Sequence, residues 1–233
     1  MKMDEKIETA ADLQLPCESL LFNFAGVLID TAEGSERARF KWSLAFGLDP
    51  EVVMTDNHGR RAIDTVNMFI QKDQRAFALA TILSLEEEEF TRLDSVPGAR
   101  ELLFALPSNR WAIVSSSPRD IVEARLDLAG LPRPLVLVCG EDVASGKAAP
   151  DCYLLAASKI ACGVGDAIVL EDSPVGIRAA RGARVGHVVG IGSRALDSDA
   201  DVVTQDLHGL RWWQGRLGIP GSSLLKCEPS GSK

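Results

Sequence analysis

Ser19-Leu20-Leu21-Phe22-Asn23-Phe24-Ala25-Gly26-Val27-Leu28-Ile29-Asp30-Thr31 is the stretch whose reading decides the fold. Its first half is apolar with little alternation, the pattern of a short strand buried on both faces. Gly26 supplies a turn, and a second apolar run closes on Asp30-Thr31. Similar short runs recur at 111–114, 135–138, 167–170 and 187–190, each ending near small or polar residues. Segments near 98–106, 119–129, 150–160 and 174–183 lie between them and carry helical spacing. Continuous apolar runs alternating with helices predict an α/β fold, a doubly wound parallel sheet covered on both faces. Ligands in such folds sit at the C-terminal ends of the strands.

Residues 32–95 break this rhythm and read as all-helical, with Arg39, Phe40, Trp42, Leu44 and Phe46 in one segment and 76–90 in another. A helical piece inserted directly after the first strand is expected to cap the sheet's C-terminal edge. The expected organisation is a polar leader (1–18), a core domain (19–31 and 96–215), a helical cap (32–95) and a flexible tail (216–233). The run Glu86-Glu87-Glu88-Glu89 reads as a solvated helix face. Trp212-Trp213 reads as packing for a last helix, and His187 and His208 as incidental.

The 233 residues suffice for one good core with a small insert, and 46% hydrophobic with 25% charged residues is ordinary globular composition. A net charge of −8 argues against nucleic acid or an anionic membrane as partner, since both need a basic face. It leaves room for a small anionic substrate in a locally positive pocket. No apolar run is long enough for a membrane span, and no apolar segment follows the charged N-terminus as in a secretory signal, so the expected location is cytoplasmic. Cys17, Cys139, Cys152, Cys162 and Cys227 are widely spaced and odd in number, which predicts reduced thiols packed as small hydrophobes.

Three clusters fall where strands of such a sheet would end. Ser115-Ser116-Ser117 follows the run at 111–114, Gly146-Lys147 precedes a helix opening near Pro150-Asp151, and Glu171-Asp172-Ser173-Pro174 follows the run at 167–170. Each alone is an ordinary turn, surface loop or helix start. Together they supply hydroxyls and an ammonium for a phosphate, and two carboxylates for Mg2+, which prefers oxygen ligands.

With these motifs the chain resembles the haloacid dehalogenase (HAD) superfamily phosphatases with an inserted helical cap, of the sugar-phosphate phosphatase and phosphoglucomutase-like branch. The family's opening motif, Phe-Asp-x-Asp-Gly-x-Leu-x-Asp-Ser, is matched by Phe22–Thr31, its second by Ser115, its third by Lys147 and its fourth by Glu171-Asp172. The resemblance implies an aspartyl nucleophile at 23 and an aspartate acid/base at 25, with Lys147 in the catalytic group. It further implies phosphate binding by Ser115, Ser116 and Lys147. Mg2+ would be held by residue 23, the backbone carbonyl of residue 25, Glu171 and Asp172. In the cap, His58, Arg60 and Arg61 of the segment 57–65 would meet the substrate, a small phosphorylated metabolite such as a sugar or polyol phosphate.

Asn23 and Ala25 stand where the family has both aspartates, and Ala148 stands where it has a proline. An amide is a very poor nucleophile, and losing a nucleophile costs on the order of 10⁶ in rate. Losing the acid/base costs about 10²–10⁴, and the two losses overlap. Mg2+ binding is weakened as well. Three readings stay open: a phosphatase scaffold in a deliberately inactivated form, a natural pseudophosphatase binding a phosphorylated ligand or a protein partner, or an enzyme rerouted to other chemistry through Lys147, Glu171 or Asp172.

Overall fold

The computed structural model describes residues 12–55, 58–89 and 93–227. In chain order the strands are β1 (Leu13–Pro16), β2 (Ser19–Asn23), β3 (Trp111–Val114), β4 (Val136–Val138), β5 (Ala167–Glu171), β6 (His187–Ile191), β7 (Val202–Thr204), β8 (Arg211–Trp213), β9 (Arg216–Ile219) and β10 (Leu224–Cys227). The helices are α1 (Ala32–Ala45), α2 (Pro50–Met54), α3 (Ala62–Phe69), α4 (Arg75–Glu89), α5 (Ala99–Ala105), α6 (Arg119–Ala129), α7 (Asp151–Lys159) and α8 (Pro174–Ala183).

A seven-stranded sheet runs β10-β7-β6-β5-β2-β3-β4, parallel throughout except for the edge strand β10. β2 lies inside the sheet between β5 and β3, and every residue of it is buried. Leu20 and Phe22 point into a core shared with α5 and α6, while Leu21 points into one shared with α7 and α8. Helices therefore cover both faces, as a non-alternating apolar strand requires. Each such Leu or Phe contributes roughly 1.5–3 kcal/mol by leaving water.

α1 to α4 follow β2 and close around a core of their own, built on Trp42, Val53, Val66, Ile70, Ala78 and Ile82. The Trp42 indole donates to the Ala78 carbonyl at 2.9 Å, satisfying its polar end inside that core. The acidic run at the end of α4 is only partly a solvated face. Glu87 and Glu88 are exposed, but Glu86 is buried against Arg39 at 3.2 Å, and Glu89 pairs with Arg37 and Lys41.

The expected leader and tail are corrected more fully. Residues 13–16 pair antiparallel with 216–219, Leu15 facing Leu217, in a three-stranded sheet ordered β1-β9-β8. Leu15, Leu217 and Ile219 are buried in the main core, and β10 pairs with β7, so neither segment frays within the described residues. Residues 1–11 and 228–233 lie outside the described part. Trp212 and Trp213 sit in β8, a strand beside α5, rather than packing a last helix; Trp212 packs on the core and Trp213 is 70% exposed.

All five cysteines are free thiols. Cys17, Cys139 and Cys152 are buried as small hydrophobes, and burial pushes Cys17 up to about 11 and Cys139 to about 12, whereas Cys227 is exposed on β10. Among the described residues no helix is long and apolar enough to cross a membrane.

Candidate functional site

The neighbouring strands β5, β2 and β3 end side by side. Their tips carry Glu171, Asn23 and, one residue beyond β3, Ser115. Lys147, from the loop between β4 and α7, reaches across them and is buried. Its ammonium donates to Asn23 Oδ1 at 2.8 Å and to Glu171 Oε1 at 2.7 Å. The peptide bond from Lys147 to Ala148 is cis. Glu171 Oε1 also accepts from the Tyr153 hydroxyl at 3.2 Å, and Oε2 accepts from the Ser173 amide and hydroxyl at 2.8 and 3.0 Å. This wholly buried carboxylate thus has four donors, one of them a cation, the condition under which a buried charge is tolerated. Ser173 also accepts from the Gly176 amide at 3.0 Å and so starts α8, with Pro174 in its first turn. Gly176 cannot carry a side chain, because a Cβ there would collide with Glu171.

Asn23 is oriented by its neighbours. Lys147 can only donate, so the amide oxygen faces it. The amide nitrogen then donates to the Ala25 carbonyl at 2.6 Å and to Asp172 Oδ1 at 2.9 Å. Asp172 Oδ2 accepts from His58 Nε2 at 2.9 Å and Arg194 Nη2 at 3.1 Å. Burial alone would raise the Asp172 carboxyl, but His58 and Arg194 outweigh it and hold the group below the ordinary carboxylate value. Gly26, with φ of +80°, brings the turn after β2 so close that a Cβ would strike the Asp172 carboxylate.

These contacts test the fit of Mg2+. The Ala25 carbonyl and Asp172 Oδ1 converge on one point, as ligands of a hard cation would, but that point holds the NH2 of Asn23. Glu171 is turned to Lys147 and Ser173, and no cluster of three acid, His or Cys side chains suited to a metal exists among the described residues. The donor set around Asn23 does not fit the ion.

The phosphate-binding candidates are only partly available. Ser115 is buried and its hydroxyl accepts from the Ser117 amide at 3.1 Å. Ser116 donates to the Gly59 carbonyl at 2.7 Å, joining the core to the helical insertion. Between these serines, Asn23 and the turn at His58–Arg60 lies a cavity of about 50 Å³. That is well below the roughly 300–1,000 Å³ of a typical ligand pocket, so the cavity as it stands has room for waters but not for a whole phosphate ester.

His58 and Arg60 line this cavity, while Asn57 lies outside the described residues. The structure gives Arg61 a different set of partners. Its guanidinium makes two bonds to Asp64, at 2.7 and 2.8 Å, and donates to the carbonyls of Gly140, Val143 and Ala144 at 3.0, 3.0 and 3.2 Å. Those bonds use all five guanidinium N–H groups and tie α3 to the loop after β4. His187 lies 3.8 Å from Asp201, a residue that plays no part in the site.

Arg194 and Tyr153 are site residues that the sequence reading missed. Arg194 follows β6 by three residues, so the strand-end rule that found Ser115 also applied to it. Tyr153 carries no comparable signal, because its value lies in where α7 happens to cross β5.

The family profile for haloacid dehalogenase-like hydrolase matches residues 20–184. Hexitol phosphatase A of Escherichia coli is 35% identical over 199 residues, covering 83% of this chain and 92% of that protein. 2-Deoxyglucose-6-phosphate phosphatase 1 of Saccharomyces cerevisiae is 31% identical over 220 residues, covering 80% and 87%. Among solved structures, a hydrolase from Pseudomonas syringae superposes with a TM-score of 0.71 at 23% identity, covering 81% of this chain and 94% of that one.

Proposed function

This chain belongs to the haloacid dehalogenase-like hydrolases, and from that premise we propose that it is a sugar- or polyol-phosphate phosphatase scaffold that binds its ester but does not turn it over. The observation that carries the reading is the contrast around Lys147. Its ammonium, Glu171, Asp172 and Ser115 stand together at the strand ends, while the side-chain atom at the nucleophile position is an amide oxygen accepting from that same ammonium.

Two of these residues have a binding role. With the helical insertion displaced, Lys147 and Ser115 present an ammonium and a hydroxyl to the phosphoryl oxygens. His58 and Arg60, lining the cavity beside them, meet the hydroxyls of the sugar or polyol. Ala25 has no proton to give a leaving alcohol and cannot activate water, so the ester stays intact. Haloacid dehalogenase phosphatases generally use Mg2+, which neutralises phosphoryl charge when bound. Here the Asn23 amide spans the Ala25 carbonyl and Asp172 instead, so ester binding is expected to be independent of Mg2+.

The test is phosphate release from a panel of hexitol, hexose and glycerol phosphates with Mg2+, comparing this chain with the doubly substituted Asn23→Asp/Ala25→Asp protein. Turnover is expected in the second, at least about 10⁴-fold above the first. If neither releases phosphate, the phosphatase scaffold reading fails.

One observation is shared by a second reading. Every hydrogen-bonding atom of the Asn23 amide is used, which suits a natural binder as well as an inactivated enzyme. Under that reading the chain is a pseudophosphatase that holds a phosphorylated ligand, and only there does a protein partner enter.

A further inference from the structure

Among the described residues four strands end the two sheets: β4 and β10 in the large one, β1 and β8 in the small one. An open strand edge invites another strand, and proteins blunt it with charges, prolines or bulges. Three of these edges carry such a device. On β4 the Arg119 guanidinium donates to the Leu137 carbonyl at 3.3 Å and so occupies a backbone acceptor. β10 shifts register between Leu224 and Lys226, and β1 contains Pro16, which has no N–H to offer. β8 has neither proline nor register shift, and its Arg211 and Trp213 are both exposed.

The hairpin fixes which backbone groups of β8 face outward. Trp213 and Arg216 flank a two-residue turn, Gln214-Gly215, with φ of +47° and +72°. In such a hairpin the flanking pair exchanges its hydrogen bonds internally, and so does the pair two positions on, Arg211 with Gly218. The N–H and C=O of Trp212 therefore point away from β9, to the open edge. Its side chain packs on the core, while Arg211 and Trp213 share the opposite, solvent-facing side.

A second copy of β8 fits this edge about a two-fold axis, Trp212 opposite Trp212, exchanging two backbone hydrogen bonds. That register sets Arg211 of each copy across from Trp213 of the other, so two cation–π pairs form on the solvent face. It also carries each copy's Gln214-Gly215 turn along Leu210 and Gly209 of the other. Those two residues border a groove of about 620 Å³ between α5 and residues 207–213, which gives the turn a place to rest. An unrelated strand could satisfy Trp212, but nothing would supply it with a cation and an aromatic ring at the matching positions.

We infer that β8 is a self-association edge whose partner is a second copy of this chain, paired antiparallel through Trp212. The contact is short, so the dimer is weak and reversible.

Analytical ultracentrifugation over a concentration series reads the pairing. This chain is expected to dimerise with a Kd of about 1–100 μM, as suits a small interface. Trp213→Arg sets arginine against arginine across the edge and is expected to weaken the dimer at least about tenfold. Arg211→Trp combined with Trp213→Arg exchanges the two partners and is expected to return the affinity to within about threefold of the original. Both positions face solvent, so both variants are expected to keep the urea midpoint of this chain. If the single variant fails to fold, the affinity of the double variant, which carries the same two side chains, decides. A chain that stays monomeric up to about 1 mM overturns the inference. So does a dimer that Trp213→Arg leaves intact, or one that the double variant fails to restore.

Discussion

The tips of β2 and β5 lie beside each other in parallel register, Phe22 opposite Leu170, yet they solve the burial of polar groups differently. At β5, two carboxylates survive because donors reach them: the Lys147 ammonium serves Glu171, and the His58 imidazole with the Arg194 guanidinium serves Asp172. At β2, a neutral amide mediates between the two sets, taking a bond from Lys147 and giving one to Asp172. The site is therefore balanced without a metal, and balanced because residue 23 is not an acid. A carboxylate at that position would share Lys147 with Glu171 and face Asp172 with no donor between them.

The most severe break in this comparison is Lys147→Met, which strips the cation from Glu171. A buried pair broken on one side costs about 3–5 kcal/mol, read as a fall in the urea midpoint. Adding Glu171→Gln to that variant should recover much of the loss, and a loss below about 1 kcal/mol would show that Glu171 does not depend on Lys147.

Making β2 resemble β5 is the next largest effect. Asn23→Asp replaces two donated hydrogen bonds by repulsion from Asp172 and the Ala25 carbonyl, for about 1–3 kcal/mol of destabilisation without divalent cations. Millimolar Mg2+ should raise the melting temperature of that variant and leave this chain unmoved. A Mg2+ response of the unaltered chain would contradict the placement of the amide.

Arg61→Ala sharpens the comparison from the helical side. It removes the bonds to three core carbonyls and is expected to cost about 1–2 kcal/mol, with faster proteolysis of the segment 58–61. Phosphate affinity should fall no more than slightly, because Arg61 meets no phosphate-binding residue; a collapse of that affinity would return Arg61 to the substrate.

The mildest probe is pH. Asp172 is held below its ordinary 3.8, so its stabilising contribution is complete above that value and disappears as pH falls through the lower folded value. Acid unfolding should begin at higher pH in His58→Gln, since one of the groups depressing the Asp172 pKa is gone.

Much of this molecule was legible before any coordinates. The runs giving β2, β3, β5 and β6 are continuous and apolar because both faces are covered, and that pattern survives in the residues alone. The motif residues followed, since strand ends locate them. Leu13-Gln14-Leu15-Pro16 gave no comparable signal: it is short, holds a proline, and acquires its partner some two hundred positions later. Glu86 was hidden in a similar way. In a run of four glutamates nothing marks the one that faces inward, because Arg39 and Arg125 are supplied by two other helices.

That distant pairing also sets a clock on synthesis. β1 leaves the ribosome long before β9 exists, and at about 5–20 residues per second the interval is roughly 10–40 s. The sheet around β2 has time to assemble first, while Leu13 and Leu15 wait without a strand to pair with. The nascent chain thus holds an open, partly apolar edge for most of its translation, a target for a chaperone or for another nascent copy. Closing that edge is among the last events of folding, and it falls to a segment whose composition alone looked dispensable.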